Sequence, residues 1–290
     1  MDWQFQVIRV TNFPVNPADH LFDSFEKATL AVDSLAVMRE VDIEHQFACL
    51  AYHAIEHGQA AQRYIVGEQD LGVQLRFLKS ENYVVEGFEQ LESRLRSREP
   101  FPQRYVVFTV DDGETSSLRA ADMLEEFRAN ATFFLTRDRS TRAPGYLRIA
   151  EIRELRRRGF SLGTHGTTHR GLAFLPEALC VTELRDSKRW LEDLLGEAVL
   201  YMSFPGGYVN RRTVELAKNL GYRLVGNSKE RMNSPAALSL HGQVNRIAVR
   251  RNFSPRDFQR IVEGDRGFYL WRQARLVALA IPKTILQDQA

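Results

Sequence analysis

Cysteine is scarce, with only Cys49 and Cys180 in 290 residues. Two thiols outside any C-x-x-C spacing are too few for a disulfide scaffold, and they read as buried free thiols. Long apolar runs are missing too: no stretch of about 18 consecutive apolar residues occurs, which excludes a spanning helix built in the usual way. The opening residues, MDWQFQVIRVTNFP, have neither the basic start nor the continuous apolar stretch of a secretory leader, so a cytoplasmic location is expected. An excess of one charge is absent as well. The 39 basic and 37 acidic side chains leave a net charge of +2, which gives no global field suited to nucleic acid, and no P-loop, zinc-finger spacing or base-reading basic helix is visible. Internal repeats and low-complexity tracts are also missing.

What remains is the composition of an ordinary globular protein, 44% hydrophobic and 26% charged. The length suits one main domain with decorated ends, and a barrel of roughly 200–250 residues is a common solution at this size. The clearest punctuation is the polar stretch SRLRSREPFPQR, followed by the β-branched and aromatic run YVVFTV at 105–110. That run predicts a buried strand ending at Asp-Asp-Gly. Then come a helical pattern in SLRAADMLEEFRAN, a strand in ATFFL, a helix in IAEIRELRRRG and a strand in FSLGTH. Further on, a helix in VTELRDSKRWLEDLLG closes at Gly196, VLYMSF is a strand, RTVELAKNLG is a helix closed by Gly221, and RLVGN is a strand. Strand and helix alternate, which predicts an α/β fold with mainly parallel strands.

Polar residues gather where these strands end: Asp111 and Asp112 after one, His165 and His169 after another, Pro205 to Tyr208 after a third. The C-terminal ends of parallel strands are where barrel enzymes carry their chemistry. Two histidines and a carboxylate are a common zinc set in hydrolases, leaving a position for water. His165 and His169, four residues apart, could reach one ion, with the oxygen ligand from Asp111 or Asp112 and the other carboxylate left as a base. A histidine pair in a polar loop is also a common solvated feature, and Asp-Asp-Gly is a common turn.

The segments TVDDG (109–113), THGTTH (164–169) and SFPGG (203–207) resemble, in order and separation, the motifs of the polysaccharide deacetylase family, the NodB-homology or carbohydrate esterase family 4 group. ATFF and EIRELRRRGFSLGTH fit between them, and the resemblance runs over roughly residues 48 to 250. The stretch CLAYHAIEHG, followed by YIVGEQDLGVQLRFLKSENYVV, is similar to the opening of a circularly permuted branch that includes poly-N-acetylglucosamine deacetylases. The resemblance implies a distorted (β/α)7 barrel of the NodB-homology type. It implies Asp111 as general base, with Asp112, His165 and His169 holding a divalent metal, zinc first and cobalt or nickel compatible with the same ligands. It also implies His53 as the acid that protonates the leaving amine, and the Gly206 backbone N–H as a donor to the oxyanion. Pro205, Tyr208 and Asn210 become candidates for the substrate groove.

The match departs from the family in places. Ser203 stands where many members carry an arginine that orients the catalytic aspartate, which leaves the orientation of Asp111 without a source. RLVGNSKERMN lacks the family's Asp-x-x-Asp-Trp motif. LSLHG, with His241, has the letters of a further motif but precedes VNRIAVRRN, which reads as the closing strand, so His241 is set aside. The deacetylase domain is expected over 46–265, after an extension over 1–45 that matches no known segment; an amphipathic helix in DSFEKATLAVDSLAVM would pack it onto the barrel, and a small cap contacting substrate or a partner is the alternative. The tail over 266–290 mixes Phe268, Tyr269 and Trp271 with Arg272, Arg275 and Lys283. Packing on the domain is the preferred reading of this tail, and peripheral membrane contact is the alternative. The activity implied is removal of N-acetyl groups from amino sugars in an oligosaccharide, polysaccharide precursor or lipid-linked glycan. O-acetyl ester hydrolysis or hydrolysis of another small amide at the same metal site, or an inactive sugar-binding member of the fold, are the competing readings.

Overall fold

A computed structural model of the chain describes residues 45–57, 64–97, 100–272 and 274. The expected extension, apart from His45, and the tail beyond 274 lie outside these residues, as do Arg275 and Lys283.

The run YVVFTV forms strand β5 (Tyr105–Val110), buried at all six positions. A strand covered on both faces needs apolar side chains at every position rather than at alternate ones, which is why no alternation is visible in the sequence. Around it lie β1 (Ala48–Tyr52), β4 (Val84–Glu86), β6 (Thr132–Leu135), β7 (Ser161–Thr164), β8 (Tyr201–Ser203), β9 (Leu224–Gly226), β10 (Gln243–Val244) and β11 (Ile247–Ala248). Among the described residues they form one sheet in the order β10-β9-β8-β7-β6-β5-β1-β11, with β4 added beside β5. All its pairings are parallel. Short strands β2 (Ile55–Glu56) and β3 (Val66–Gly67) pair separately.

The ends of this sheet are β10 and β11, which only Asn245 and Arg246 separate in the chain. Three peptide units span at most about 11 Å. Strands that lie at opposite edges of the sheet and yet are so close along the chain force it to curl. The product is the distorted (β/α)7 barrel. The sequence expectation of one closing strand in VNRIAVRRN is therefore corrected. The segment breaks in two, because its halves pair with β9 on one side of the gap and with β1 on the other.

Helices cover the outside, since a parallel crossover returns the chain across the sheet face. They include Ser117–Glu126, Ile149–Arg157, Glu177–Leu195 and Arg211–Asn219. The long helix Glu177–Leu195 buries Cys180, Leu184 and Leu191 and ends on left-handed Gly196, as its sequence predicts. Both cysteines are free and buried. The described part of the tail packs on the domain: Phe268 and Tyr269 are buried. The Arg272 guanidinium pairs with Glu230 at 2.7 Å and lies over the Phe253 and Phe268 rings. No helix among the described residues is long and apolar enough to cross a membrane.

Candidate active site

At the C-terminal end of β5 the Asp111 amide donates to Tyr52 O at 2.8 Å, extending the ladder to β1 by one step. The chain then turns sharply. Asp112 takes a left-handed backbone with φ 76° and Gly113 follows at φ 75°, so adjacent carboxylates point in different directions. A non-glycine residue in this region is held there against steric cost.

Asp111 is clamped. Arg246 Nη1 donates to its Oδ1 at 2.7 Å and Nη2 to its Oδ2 at 2.8 Å. Ser203 Oγ donates to Oδ2 at 3.0 Å. The guanidinium also reaches Ser203 Oγ at 2.6 Å, Thr109 Oγ1 at 3.1 Å and, through Nε, Asn227 O at 3.1 Å. The side chains of both partners are almost wholly buried, 1% and 3% exposed. Burial pushes the Asp111 carboxyl up, but the Arg246 charge, supported by His165, outweighs it and holds the group at about 2. The answer to the missing arginine of the third motif is thus Arg246, from the junction of β10 and β11, with Ser203 filling the vacated place.

Three features hold that arginine. Gly226 has no side chain where one would stand 2.6 Å from Arg246 Nε. The Phe134 ring lies 5.5 Å from its guanidinium carbon. Asn245, next to it, is pinned by Asn233, whose Oδ1 accepts from the Asn245 amide at 2.8 Å and whose Nδ2 donates to Asn245 O at 2.8 Å.

Asp112 faces two imidazoles. His169 Nε2 lies 2.9 Å and His165 Nε2 3.4 Å from its Oδ1. Arg139 Nη1 also approaches this atom, at 2.9 Å. Burial raises the Asp112 carboxyl, but His169 and then His165 hold it well below the ordinary carboxylate range. His165 Nδ1 sits 2.8 Å from Ser203 O. A carbonyl only accepts, so Nδ1 carries the proton and Nε2 offers its lone pair into the site. Burial depresses the His165 imidazolium to about 4, with the two aspartates opposing, so the ring is neutral and ligand-competent near pH 7. One donor atom from each of Asp112, His165 and His169 falls within 4.8 Å of the others. Asp112 Oδ1 is buried with no hydrogen bond of good geometry among the described residues. Two imidazole nitrogens converging on such an oxygen fit a divalent cation with an open coordination position.

The loop bearing both histidines is held by Glu183 of the helix Glu177–Leu195. Its Oε2 accepts from the Thr167 and Thr168 amides at 2.8 and 2.9 Å, and its Oε1 accepts from Thr168 Oγ1 at 2.5 Å. His169, like Asp112, is left-handed, at φ 66°. His53 follows β1, and both aspartates feel its charge. Its ring lies 5.3 Å from Tyr64, and its Nδ1 is buried without a hydrogen-bond partner among the described residues.

Pro205 to Gly207 make a 3-10 turn in which Gly206 is left-handed at φ 67°. Pro205 is buried, its ring over Gly166, and Tyr208 projects outward. Asn210 proves to be a helix cap, accepting from the Thr213 amide at 2.9 Å. His241 ends the helix Pro235–His241 just before β10 begins, which puts it at the N-terminal ends of the strands, opposite the site. Sequence reasoning missed Arg246 and Glu183.

Residues 98–225 match the family model for polysaccharide deacetylase. Over 128 residues the chain is 29% identical to a peptidoglycan-N-acetylglucosamine deacetylase of Bacillus cereus, a match covering 43% of this chain and 57% of that protein. The chain spans about three fifths of the length of the curated relatives it matches. Among solved structures it is similar to the Streptococcus pyogenes deacetylase PplD in complex with acetate, with a TM-score of 0.69 and 25% identity. That match covers 76% of this chain and 99% of the other. The fold also matches that of IcaB from Ammonifex degensii, with a TM-score of 0.66 at 21% identity, over 75% of this chain and 96% of the other.

Proposed function

From a chain that belongs to the polysaccharide deacetylase family, we propose a divalent-metal-dependent hydrolase that removes N-acetyl groups from amino sugars within a glycan. The observation that carries this reading is the division of labour between adjacent aspartates. Asp111 is locked by an arginine and kept ionised, whereas Asp112 faces two imidazoles.

Asp112, His165 and His169 would hold the ion, with zinc the first candidate and cobalt or nickel compatible. When bound, such an ion supplies Lewis acidity that polarises the acyl oxygen and acidifies water. Asp111 accepts the proton of the attacking water. Its two oxygens offer about four lone-pair sites, and Arg246 and Ser203 occupy three, which leaves one to face the reaction. His53 delivers a proton to the sugar nitrogen as the C–N bond breaks, since the nitrogen must leave as an amine rather than as an amide anion. The Gly206 N–H donates to the developing oxyanion. Pro205 shapes the turn that presents it, and Tyr208 lines the approach for the substrate.

Acetate release by metal-reconstituted protein from N-acetylglucosamine monomers, oligomers and nucleotide sugars tests the reading. Release by wild type and its loss in Asp111→Asn are expected. Full activity in Asp111→Asn would overturn the assignment of the base, and action on O-acetyl esters alone would overturn the assignment of the reaction.

A further inference from the structure

A cavity of about 530 Å³ lies between the helix Glu68–Ser80 and the segment that leads into β6. Its walls include Tyr83, just before β4, and Phe127 and Arg128, just before β6. These are the N-terminal ends of the strands, so the cavity opens at the end of the barrel away from the aspartates. Such a volume is ordinary for a small-molecule site, in the range of roughly 300–1,000 Å³. Part of the lining is apolar, with Leu75, Leu78 and the rings of Tyr83 and Phe127. Another part is cationic. Lys79 Nζ lies 5.4 Å from the centroid of the Phe127 ring, and Arg128 is the next residue, so two positive charges gather beside one aromatic side chain. Neither forms an ion pair among the described residues. Glu86, which also lines the cavity, gives its oxygens to Arg94 at 2.7 and 2.6 Å, and so leaves both charges uncompensated.

Arg128 is costly to hold in its place. The helix Ser117–Glu126 closes with the Arg128 amide donating to Glu125 O and the Ala129 amide to Leu124 O, both at 2.9 Å. That closure turns the backbone left-handed, and Arg128 has φ 55°. The helices Ile149–Arg157, Arg211–Asn219 and Pro255–Val262 reach the equivalent position on glycine, at Gly159, Gly221 and Gly264. Glycine takes this conformation freely, whereas a residue with a Cβ is strained in it. An arginine kept where the chain elsewhere uses glycine points to a use for its side chain.

We propose that this cavity binds a phosphate monoester carried on a planar ring, a molecule of the size and charge of a mononucleotide. Two cations match the charge of roughly −1.5 to −2 that such a phosphate bears near pH 7. A carboxylate, with a single charge, would leave one cation unmatched. The rings of Tyr83 and Phe127, together with the two leucines, supply the apolar contact that a planar ring needs once it leaves water. No residue of the lining belongs to the catalytic constellation, so the site stands independently of the deacetylase reading.

The test titrates the full chain calorimetrically with the four ribonucleoside 5′-monophosphates, with the matching nucleosides and with inorganic phosphate. One nucleotide is expected to bind per chain, more tightly than its nucleoside or phosphate alone, and to raise the melting temperature as its concentration rises. Arg128→Gly should weaken this binding about tenfold or more, the worth of a charge-assisted hydrogen bond, and Arg128→Lys should retain most of it. Because glycine is the residue the backbone favours at 128, Arg128→Gly without ligand should melt no lower than wild type. Binding lost in a variant of undiminished stability would support the site. No saturable binding of any nucleotide, phosphate alone bound as tightly as the nucleotides, or binding unmoved in Arg128→Gly would overturn it. An Arg128→Gly variant that melts below wild type would show that the arginine serves the fold, and would overturn the proposal as well.

Discussion

Arg246 is where the structure makes its sharpest demand. Replacing it with methionine keeps much of the volume and removes the charge, so Asp111 is left ionised, buried and short of its two charged hydrogen bonds. Breaking a buried ion pair from one side costs about 3–5 kcal/mol, a large fraction of the stability of a domain this size. Lysine is no remedy. A point charge cannot make the two parallel bonds to Oδ1 and Oδ2 that the planar fork makes. The penalty is that of an orphaned charge, so removing the charge as well should recover it. Arg246→Met combined with Asp111→Asn is expected to be at least about 2 kcal/mol more stable than the sum of the single effects predicts, the signature of a direct pair. Urea unfolding of chelator-treated protein measures all four corners of this cycle. Acidity supplies a second readout. The Asp111 carboxyl is held at about 2 against an ordinary 3.8. A depressed folded-state pKa stabilises the protein above 3.8, and that contribution disappears as pH falls from 3.8 through 2. In metal-free wild type it amounts to roughly 2 kcal/mol, and Arg246→Met should lack it. Additive stabilities in the cycle, or an Arg246→Met variant within 1 kcal/mol of wild type, would refute the clamp as a structural and electrostatic unit.

Three further perturbations separate the roles of individual groups. His53→Gln should lower amide hydrolysis by about 10²–10⁴-fold, the usual worth of a general acid, and ester hydrolysis far less, because an alkoxide leaves with less help than an amide anion; equal losses measured on matched N- and O-acetyl sugars would remove His53 from the proton path. Glu183→Ala should weaken zinc binding about 10–100-fold, as outer-shell losses do, and Glu183→Gln should recover most of it because an amide oxygen can still accept the Thr167 and Thr168 amides; direct competition against a chromogenic chelator reads this, and an unchanged affinity in Glu183→Ala would contradict the role. Gly226→Ala would place a methyl 2.6 Å from Arg246 Nε and should cost about 1–3 kcal/mol as an overpacked site, with loss of acetate release; thermal melting at the wild-type temperature would argue that the guanidinium can move aside.

The parts of this site that could be read in the sequence are the local ones. His165 and His169 lie in one short loop and Asp111 and Asp112 directly follow β5, so residue type and spacing carried the information. The strands were legible because a parallel sheet covered on both faces leaves continuous apolar runs such as YVVFTV. Arg246 acts on Asp111 from 135 positions away, and no local period reports a partner at that distance. Its only trace was a lone arginine between Val244 and Ile247, in a stretch otherwise fit for a buried strand, and charged residues are almost never fully buried unless paired. The same stretch misled on topology. Six residues of strand-like character read as one strand, because pairing on opposite sides of a closure depends on what the rest of the sheet does. Glu183 left a clearer trace. In the helix Glu177–Leu195 the buried stripe runs Cys180, Glu183, Leu184, Ser187, Leu191, so a carboxylate falls on the apolar face at helical spacing. A glutamate there needs donors, and the nearest sequence with unpaired backbone amides was the histidine loop. The family's missing arginine and this misplaced carboxylate point to one physical rule. Where a buried charge appears without its expected partner, another element of the fold must supply one: for Asp111 it is the seam between β10 and β11, where Arg246 sits, and for Glu183 it is the histidine loop beside its own helix.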